Sequence, residues 1–293
     1  MSMGASLLLF FAATYAIAWS CFIAVAVAYP LSTVWGQVLL LVGTFSPSFV
    51  ALALTHRIQG RGGVRTLFAR VVQGSAPLRW YVFAVGYIAA IKLVTALIHR
   101  SLTGQWPRFG VSPLYLIPFA IAISTPVQAG EEIGWRGFAL PRLASRLGLG
   151  PASIVLGVIW AVWHLPLFFV HEADTFGQSF PIFTIQVVAI SIAISLLYAK
   201  SDGGLLVPML FHAAVNNTKD IVPSASPGAT NTFGLHASLV AWIAAALVWM
   251  FAIVMLAWMA RTETSRARRY AAWRGDVGGA AETSTASPAR SAT

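Results

Sequence analysis

The sequence predicts an all-α, polytopic membrane protein with about eight transmembrane helices. Hydrophobic residues make up 58% of the 293 positions, charged residues only 10%, and the mean hydropathy is +0.75. Soluble domains contain about 25% charged residues, so this composition excludes an ordinary soluble protein. The apolar residues also form segments of about 20, which is the length that a helix needs to cross ~30 Å of hydrocarbon.

Eight apolar segments separated by short connections account for most of the chain. They lie near residues 5–29, 34–55, 80–99, 113–138, 151–170, 180–199, 203–217 and 235–260. The seventh is short and the fourth contains charged residues, so both fall below a strict hydropathy criterion. We predict a single transmembrane helical domain over residues 1–270, with a catalytic core over 113–217. A polar tail over 271–293 is predicted to be disordered because it is rich in small residues.

The distribution of basic residues predicts the orientation of these helices. With a cytoplasmic N-terminus, the outer loops contain Arg100, Arg108 and Lys219, and two further basic residues, Lys92 and Arg136, lie within spans. The remaining 14 of the 19 Lys and Arg residues then face the cytoplasm, as the positive-inside rule requires. We expect a multi-pass protein of the plasma membrane with both termini cytoplasmic. The excess of arginine over lysine indicates a GC-rich, bacterial genome.

The net charge of +10 does not indicate nucleic-acid binding. The basic residues flank the spans without forming one face with interleaved aromatic residues, so we expect the anionic lipid bilayer to be their partner. Residues 63–73 have apolar side chains at helical spacing, which predicts a short interfacial helix. The single cysteine, Cys21, lies in the first span, which excludes an intrachain disulfide and a thiolate metal site.

Two adjacent carboxylates in the fourth segment are the first candidates for chemistry. Glu131 and Glu132 follow an apolar run, and Arg136 lies four residues after Glu132. An ionised group at mid-bilayer costs at least ~2.5 kcal/mol. Because residues four apart share a helix face, Arg136 is expected to neutralise Glu132. Glu131 is rotated by about 100° from its neighbour, which leaves its carboxylate available for chemistry.

Three polar residues in later spans complete the candidate site. His164 lies in the fifth span, and His212 and Asn216 lie four residues apart in the seventh. With ~1.5 Å of rise per residue, Glu131, His212 and His164 lie about 10, 14 and 20 Å from the inner ends of their helices. These similar depths predict one shared site in an intramembrane catalytic cavity. A carboxylate, an imidazole and an amide suffice to activate water and stabilise an oxyanion.

Other interpretations of the polar residues stay open. Buried His and Asn side chains often form interhelical hydrogen bonds without catalysing a reaction. His171 and Glu172 lie at the outer interface, where a structural role is expected, and Lys92 either snorkels or pairs with a carboxylate. A proton-coupled transporter is disfavoured because no paired halves with interrupted helices are visible. A non-catalytic scaffold or bacteriocin-immunity protein is the main alternative to an enzyme.

Three motifs resemble those of a known protease family. The segments EEIGWRG, WAVWH and HAAVN occur in this order and resemble the EExxxR, FxxxH and HxxxN motifs of the CAAX-protease and bacteriocin-processing (CPBP or Abi) family of intramembrane proteases. The match covers roughly residues 115–217, with Trp160 replacing the phenylalanine. This resemblance implies an all-helical, eight-span fold. It also implies an endopeptidase that cleaves a peptide or protein substrate entering from the cytoplasmic side.

The resemblance also implies a role for each matched residue. Four residues are implied to be catalytic: Glu131, His164, His212 and Asn216. The glutamate would activate water with the help of the first histidine, and the second histidine and the asparagine would stabilise the oxyanion. Three residues are implied to support them: Glu132, Arg136 and Trp160.

The family resemblance leaves two chemistries for the attack of water. Its members are commonly described as metalloproteases, in which case Glu131, His164 and His212 would be zinc ligands with water in the fourth position. A metal-free glutamate mechanism is also proposed for the prenyl-protease relatives. We favour the metal-free mechanism because Asn216 suits oxyanion binding better than zinc. The identity of the substrate and the oligomeric state do not follow from the sequence.

Overall fold

The structure is a computed structural model that describes residues 2–111, 113–224 and 231–283, with side chains described as far as residue 262. Within these ranges the chain is helical and contains no β-strand, which confirms the predicted all-α class. The α-helices are α1 Met3–Val27, α2 Val34–Ala69, α3 Leu78–Thr103, α4 Ile117–Ser124, α5 Ala129–Glu132, α6 Leu140–Leu147, α7 Leu149–Trp163, α8 Phe180–Lys200, α9 Leu206–Thr218 and α10 Leu239–Thr283.

Six helical segments among the described residues are long and apolar enough to cross a membrane. They are Met3–Val27, Val34–Ala69, Leu78–Thr103, Leu149–Phe169, Phe180–Lys200 and Leu239–Thr262. The fourth and seventh predicted spans are absent from this set because α4 and α9 have only 8 and 13 residues. These are the two segments expected to fall below a strict criterion. The protein is therefore a multi-pass, all-α membrane protein.

The fourth predicted span is a chain of short helical pieces. A 3-10 turn at Leu114–Leu116 leads into α4, and a second turn at Pro126–Gln128 separates α4 from α5. Proline cannot donate a backbone hydrogen bond and disfavours a helical residue before it, which explains the break at Pro126. A π-helical segment at Ile133–Ala139 then joins α5 to α6. Hydropathy detects the apolar content of this region but does not report these changes in backbone hydrogen bonding.

The π-helical segment lies within the EEIGWRG motif. At its end the N–H of Leu140 donates to the carbonyl of Trp135, five residues earlier. Such wide turns are rare in proteins overall, but those that occur are often found at functional sites. Arg142 follows it and donates through Nη1 to the Phe138 carbonyl at 2.8 Å. Burial, together with the nearby charge of Arg70, lowers the pKa of Arg142.

Glycines allow the motif to lie directly against α2. A Cβ atom on Gly134 would lie 2.5 Å from the Pro47 Cβ and 2.6 Å from its backbone, and one on Gly130 would lie 2.7 Å from the Phe45 ring. Ser48 of α2 donates its hydroxyl to the Ala129 carbonyl at 2.6 Å. The glutamate pair is therefore held by backbone packing on one side and has its polar contacts on the other.

The C-terminal part of α2 bends before the predicted interfacial helix. Gly60 has φ +65° and ψ −163°, a conformation that side-chain-bearing residues rarely adopt, so glycine is required for the bend. Helical structure resumes after it and ends at Ala69, with Leu67 buried and Phe68 exposed. The chain is thus helical over most of residues 63–73, as predicted, and its contact with lipid stays a prediction.

Buried aromatic rings hold the motif against the first and fifth spans. The ring of Trp135 contacts Phe10 at a centroid distance of 5.6 Å and Trp163 at 5.9 Å, both edge to face. Cys21 of the first span is partly buried and has a free thiol.

At the other end of the chain, the backbone of α10 is helical as far as Thr283. Residues 284–293 lie outside the described residues, so the predicted disorder over 271–293 stays a prediction.

Candidate active site

Glu132 lies at the centre of a buried polar network. One of its oxygens, Oε1, accepts from Arg136 Nη1 and is 2.9 Å from it. The same oxygen is 2.9 Å from His212 Nδ1. The side chains of Glu132 and Arg136 are 0% exposed and that of His212 is 5% exposed. The structure therefore contains the ion pair between Glu132 and Arg136 that the spacing predicts. It also contains a bond from Glu132 to His212 of α9, which the spacing did not predict.

Arg136 is held from two further directions. Its Nη2 lies 3.5 Å from the Ser191 hydroxyl, which in turn donates to the Ser153 carbonyl at 2.9 Å. Its guanidinium carbon lies 4.5 Å from the centre of the Trp160 ring, a geometry in which the ring face attracts the cation. Ser191 and Ser153 were not predicted, since single small polar residues in apolar helices carry no distinctive signal.

Glu131 has different surroundings from its neighbour. Its Oε2 accepts a 2.7 Å hydrogen bond from the indole N–H of Trp160, and the residue is 7% exposed. The described residues give it no ion pair. The two adjacent carboxylates thus belong to separate networks, one neutralised by Arg136 and one bound only by a neutral donor. Trp160 was predicted as an aromatic wall, and its role as a hydrogen-bond donor was missed.

The two histidines contact the same tryptophan. His164 places Nδ1 at 2.8 Å from the Trp160 carbonyl, and its ring centre is 5.6 Å from the indole. The His212 ring lies edge to face with the same indole at 5.2 Å. When His164 donates from Nδ1, its Nε2 is an acceptor. Trp160 therefore contacts Glu131, Arg136 and both histidines, which come from three different parts of the sequence.

Asn216 lies at the edge of this group. It is exposed, and its Nδ2 approaches the Gln128 side-chain oxygen at 3.4 Å. Gln128 is buried and donates to the Ser124 carbonyl at 3.2 Å. Gln128 was missed in the sequence analysis, although it precedes the glutamate pair in PVQAGEE. The structure puts Asn216 near the amino end of the motif segment, one turn beyond His212 on α9.

A cavity of about 550 Å³ opens beside these residues. Four of the predicted site residues line its wall: Trp160, His164, His212 and Asn216. Glu131 is not among the described lining residues. It contacts Trp160, whose side chain also faces the cavity. The candidate site thus consists of a cavity lined by Trp160 and both histidines, and of a buried carboxylate that is bonded to the same Trp160.

This part of the chain matches a known protease family. Residues 111–218 match the model of the Type II CAAX prenyl endopeptidase Rce1-like family. The matched region contains every predicted site residue and confirms the predicted CAAX-protease resemblance.

A curated relative is similar to a stretch of this chain of comparable length. CAAX prenyl protease 2 of Methanococcus maripaludis is 33% identical over 98 residues, which cover 31% of this chain and 36% of the relative. The chain thus matches only about a third of the relative's length. Neither description mentions bacteriocin processing or a metalloprotease, so those finer parts of the prediction stay predictions.

The predicted site residues do not form the zinc site considered from the sequence. Among the described residues, no three His, Cys, Asp or Glu side chains converge in a way that could hold a metal ion. Glu131, His164 and His212 therefore do not form a zinc ligand set in this arrangement.

Lys92 adopts neither of the two arrangements expected of it. Its side chain is buried, and Nζ donates to the Val222 carbonyl at 3.0 Å and to the Ser224 hydroxyl at 2.7 Å. It therefore does not snorkel, and within the described residues no carboxylate lies within 4.0 Å of it. His171 is exposed and its ring lies 4.2 Å from that of Phe176, as a structural residue at the interface would.

Proposed function

We propose that this protein is an intramembrane endopeptidase that cleaves a membrane-associated peptide with water activated by Glu131. One observation carries the proposal: the two adjacent carboxylates have different hydrogen-bond partners. Glu132 is bound by Arg136 and His212, whereas Glu131 accepts one hydrogen bond from a neutral indole. A general base needs a carboxylate that can accept a proton, and Glu131 meets that requirement.

The geometry supports a division of labour around the attacked carbonyl. Glu131 would take a proton from water, and His164 would help to orient that water through Nε2, because its Nδ1 is occupied by a backbone carbonyl. His212 bonds to Glu132 through Nδ1 and lines the cavity, so its Nε2 is the ring nitrogen available to a substrate. Together with the amide of Asn216, it would stabilise the oxyanion of the tetrahedral intermediate.

The low dielectric of the cavity adds to this chemistry. Electrostatic interactions are stronger away from bulk water, so fixed donors at the site stabilise a developing negative charge more effectively. Half of the residues that line the cavity are apolar. We therefore propose a substrate with an apolar segment, and we propose that both termini of the protein lie in the cytoplasm of a bacterial cell. In that orientation the solvated rim of the cavity, with Glu172, Asp174 and Asp220, lies on the outer side, which disfavours the predicted entry of the substrate from the cytoplasm.

The test is cleavage of a quenched, membrane-anchored peptide library by the purified protein in liposomes. Glu131→Gln is expected to lower the rate at least ~100-fold, the usual contribution of a general base. Asp202→Asn, a carboxylate-to-amide change at an exposed residue that does not line the cavity, is the control and is expected to keep the wild-type rate. Wild-type activity in the Glu131→Gln variant would refute the assigned role.

Two further arms separate the alternatives to this proposal. Cleavage is expected to persist in the presence of a chelator, because no step depends on a metal. Loss with chelator and recovery with zinc would instead make the histidines metal ligands. The absence of cleavage by the wild-type protein over the Glu131→Gln blank would favour a non-catalytic scaffold.

A further inference from the structure

Lys92 is a buried cation in the wall of the candidate active-site cavity. It is 6% exposed and lines the same cavity as His164 and His212. Its ammonium group bonds to Val222 O and Ser224 Oγ. An ammonium group has three N–H donors, so these two contacts leave one donor for another partner.

The described residues place no carboxylate directly against this cation, and the charge of Asp220 acts on it only from a distance. No carboxylate oxygen of the described residues lies within 4.0 Å of the Lys92 nitrogen. Three acidic residues line the cavity, but all of them are exposed: Glu172, Asp174 and Asp220. Asp174 is already paired with Lys219 at 2.7 Å. The acidic groups therefore lie at the solvated rim, and Lys92 lies in the interior.

The two observed acceptors explain the position of Lys92 but not its charge. A carbonyl and a hydroxyl are neutral, and a neutral donor would serve them at a lower desolvation cost. An ionisable residue inside a membrane protein is expensive and usually marks a binding or transport pathway. A ligand that brings a negative charge into the cavity would offset this cost.

We propose that Lys92 binds a carboxylate of the peptide substrate. This inference rests on the proposed function and adds a substrate class to it. Next to Lys92 the cavity wall contains apolar residues, among them Ile88, Ile91 and Val248. The substrate is therefore a peptide with an apolar segment and an anionic group. That anionic group is either the free C-terminus or an acidic side chain.

Binding to the Glu131→Gln variant tests this without any turnover. Three fluorescent octapeptides of Ala, Val and Leu are compared in detergent: one with a free C-terminal carboxylate, one with a C-terminal amide, and one amide with a glutamate near its end. At least one carboxylate peptide is expected to bind about tenfold or more tightly than the plain amide, as a charged hydrogen bond would produce. The stronger of the two identifies the source of the carboxylate.

Two lysine variants show where the discrimination arises. Adding Lys92→Met to Glu131→Gln is expected to abolish the preference for the carboxylate. Adding Lys200→Met instead, at a lysine that does not line the cavity, is expected to keep it. An equal loss of the carboxylate preference in both lysine variants would overturn the inference. Equal binding of all three peptides before either lysine is changed would also overturn it. This last comparison holds even if Lys92→Met does not fold.

The failure of this inference can be distinguished from the failure of the proposed function. Cleavage that depends on Glu131, combined with equal affinity for acid and amide peptides, would refute only the role of Lys92. Carboxylate-dependent binding without any cleavage by the wild-type protein would keep the binding site and refute the protease.

Discussion

Replacing Arg136 by methionine is expected to lower the free energy of unfolding by about 3–5 kcal/mol. The side chains of Arg136 and Glu132 are both 0% exposed, and Arg136 Nη1 lies 2.9 Å from Glu132 Oε1. The substitution leaves the Glu132 carboxylate buried with His212 as its remaining partner. Most of the cost is therefore the desolvation of an unpaired charge, and the loss of an attractive contact contributes less.

A double-mutant cycle isolates this effect from the loss of packing. Glu132→Gln alone leaves Arg136 unpaired, so it is also expected to be costly, but the double variant has no unpaired charge. The coupling energy is expected to be about 2 kcal/mol or more. The assay is reversible unfolding by SDS in mixed micelles, monitored by tryptophan fluorescence.

The exposed ion pair of Lys219 and Asp174 provides the matched control. Their side chains are 31% and 72% exposed, so Lys219→Met and Asp174→Asn are expected to couple by less than about 1 kcal/mol. If Glu132→Gln and Arg136→Met were additive to within about 0.5 kcal/mol, the buried pair would be no more important than the exposed one, and the reasoning would be refuted.

Two further predictions concern the tryptophan and the glycine contacts of the motif. Trp160→Phe removes the hydrogen-bond donor to Glu131 and is expected to lower kcat about tenfold with little change in KM. The control is Trp163→Phe, because the indole N–H of Trp163 has no partner among the described residues. This variant is expected to keep the kcat per folded molecule. Equal kcat values would contradict the donor role. Gly134→Ala, whose Cβ would meet the α2 backbone at 2.6 Å, is expected to cost about 1–3 kcal/mol in the same unfolding assay, while Gly86→Ala, with no atom within 4 Å, is expected to be neutral or to stabilise by up to ~1 kcal/mol. Similar costs for the two glycines would show that close packing is not the reason for Gly134.

The sequence predicted contacts within a helix better than contacts between helices. The pairing of Glu132 with Arg136 followed from their spacing, because residues four apart share a helix face. The contact between Glu132 and His212 joins residues 80 positions apart, and no periodicity reports which helices become neighbours. The apolar spans were predictable because lipid imposes a minimum length. The bond from Trp160 to Glu131 was not, since it depends on a side-chain orientation.

The candidate site was predicted as a set of residues but not as a geometry. Matched depth and motif order brought Glu131, His164 and His212 into one region, and the structure places all three in contact with Trp160. The position of Lys92 was misjudged because its partners, Val222 O and Ser224 Oγ, lie in a connection after α9. A backbone carbonyl leaves no signature in a sequence.

The π-helical segment gives the motif one residue more than a regular helix would hold in the same turn. The wider turn accommodates this extra residue, so that α6 keeps its position against its neighbours. Deleting one residue after Arg136 would allow a regular α-helix to form here and would leave the spacing of Glu132 and Arg136 unchanged. Among homologous sequences, a one-residue gap here would therefore separate proteins with the π-helical segment from proteins with a regular α-helix, even where every motif letter is retained.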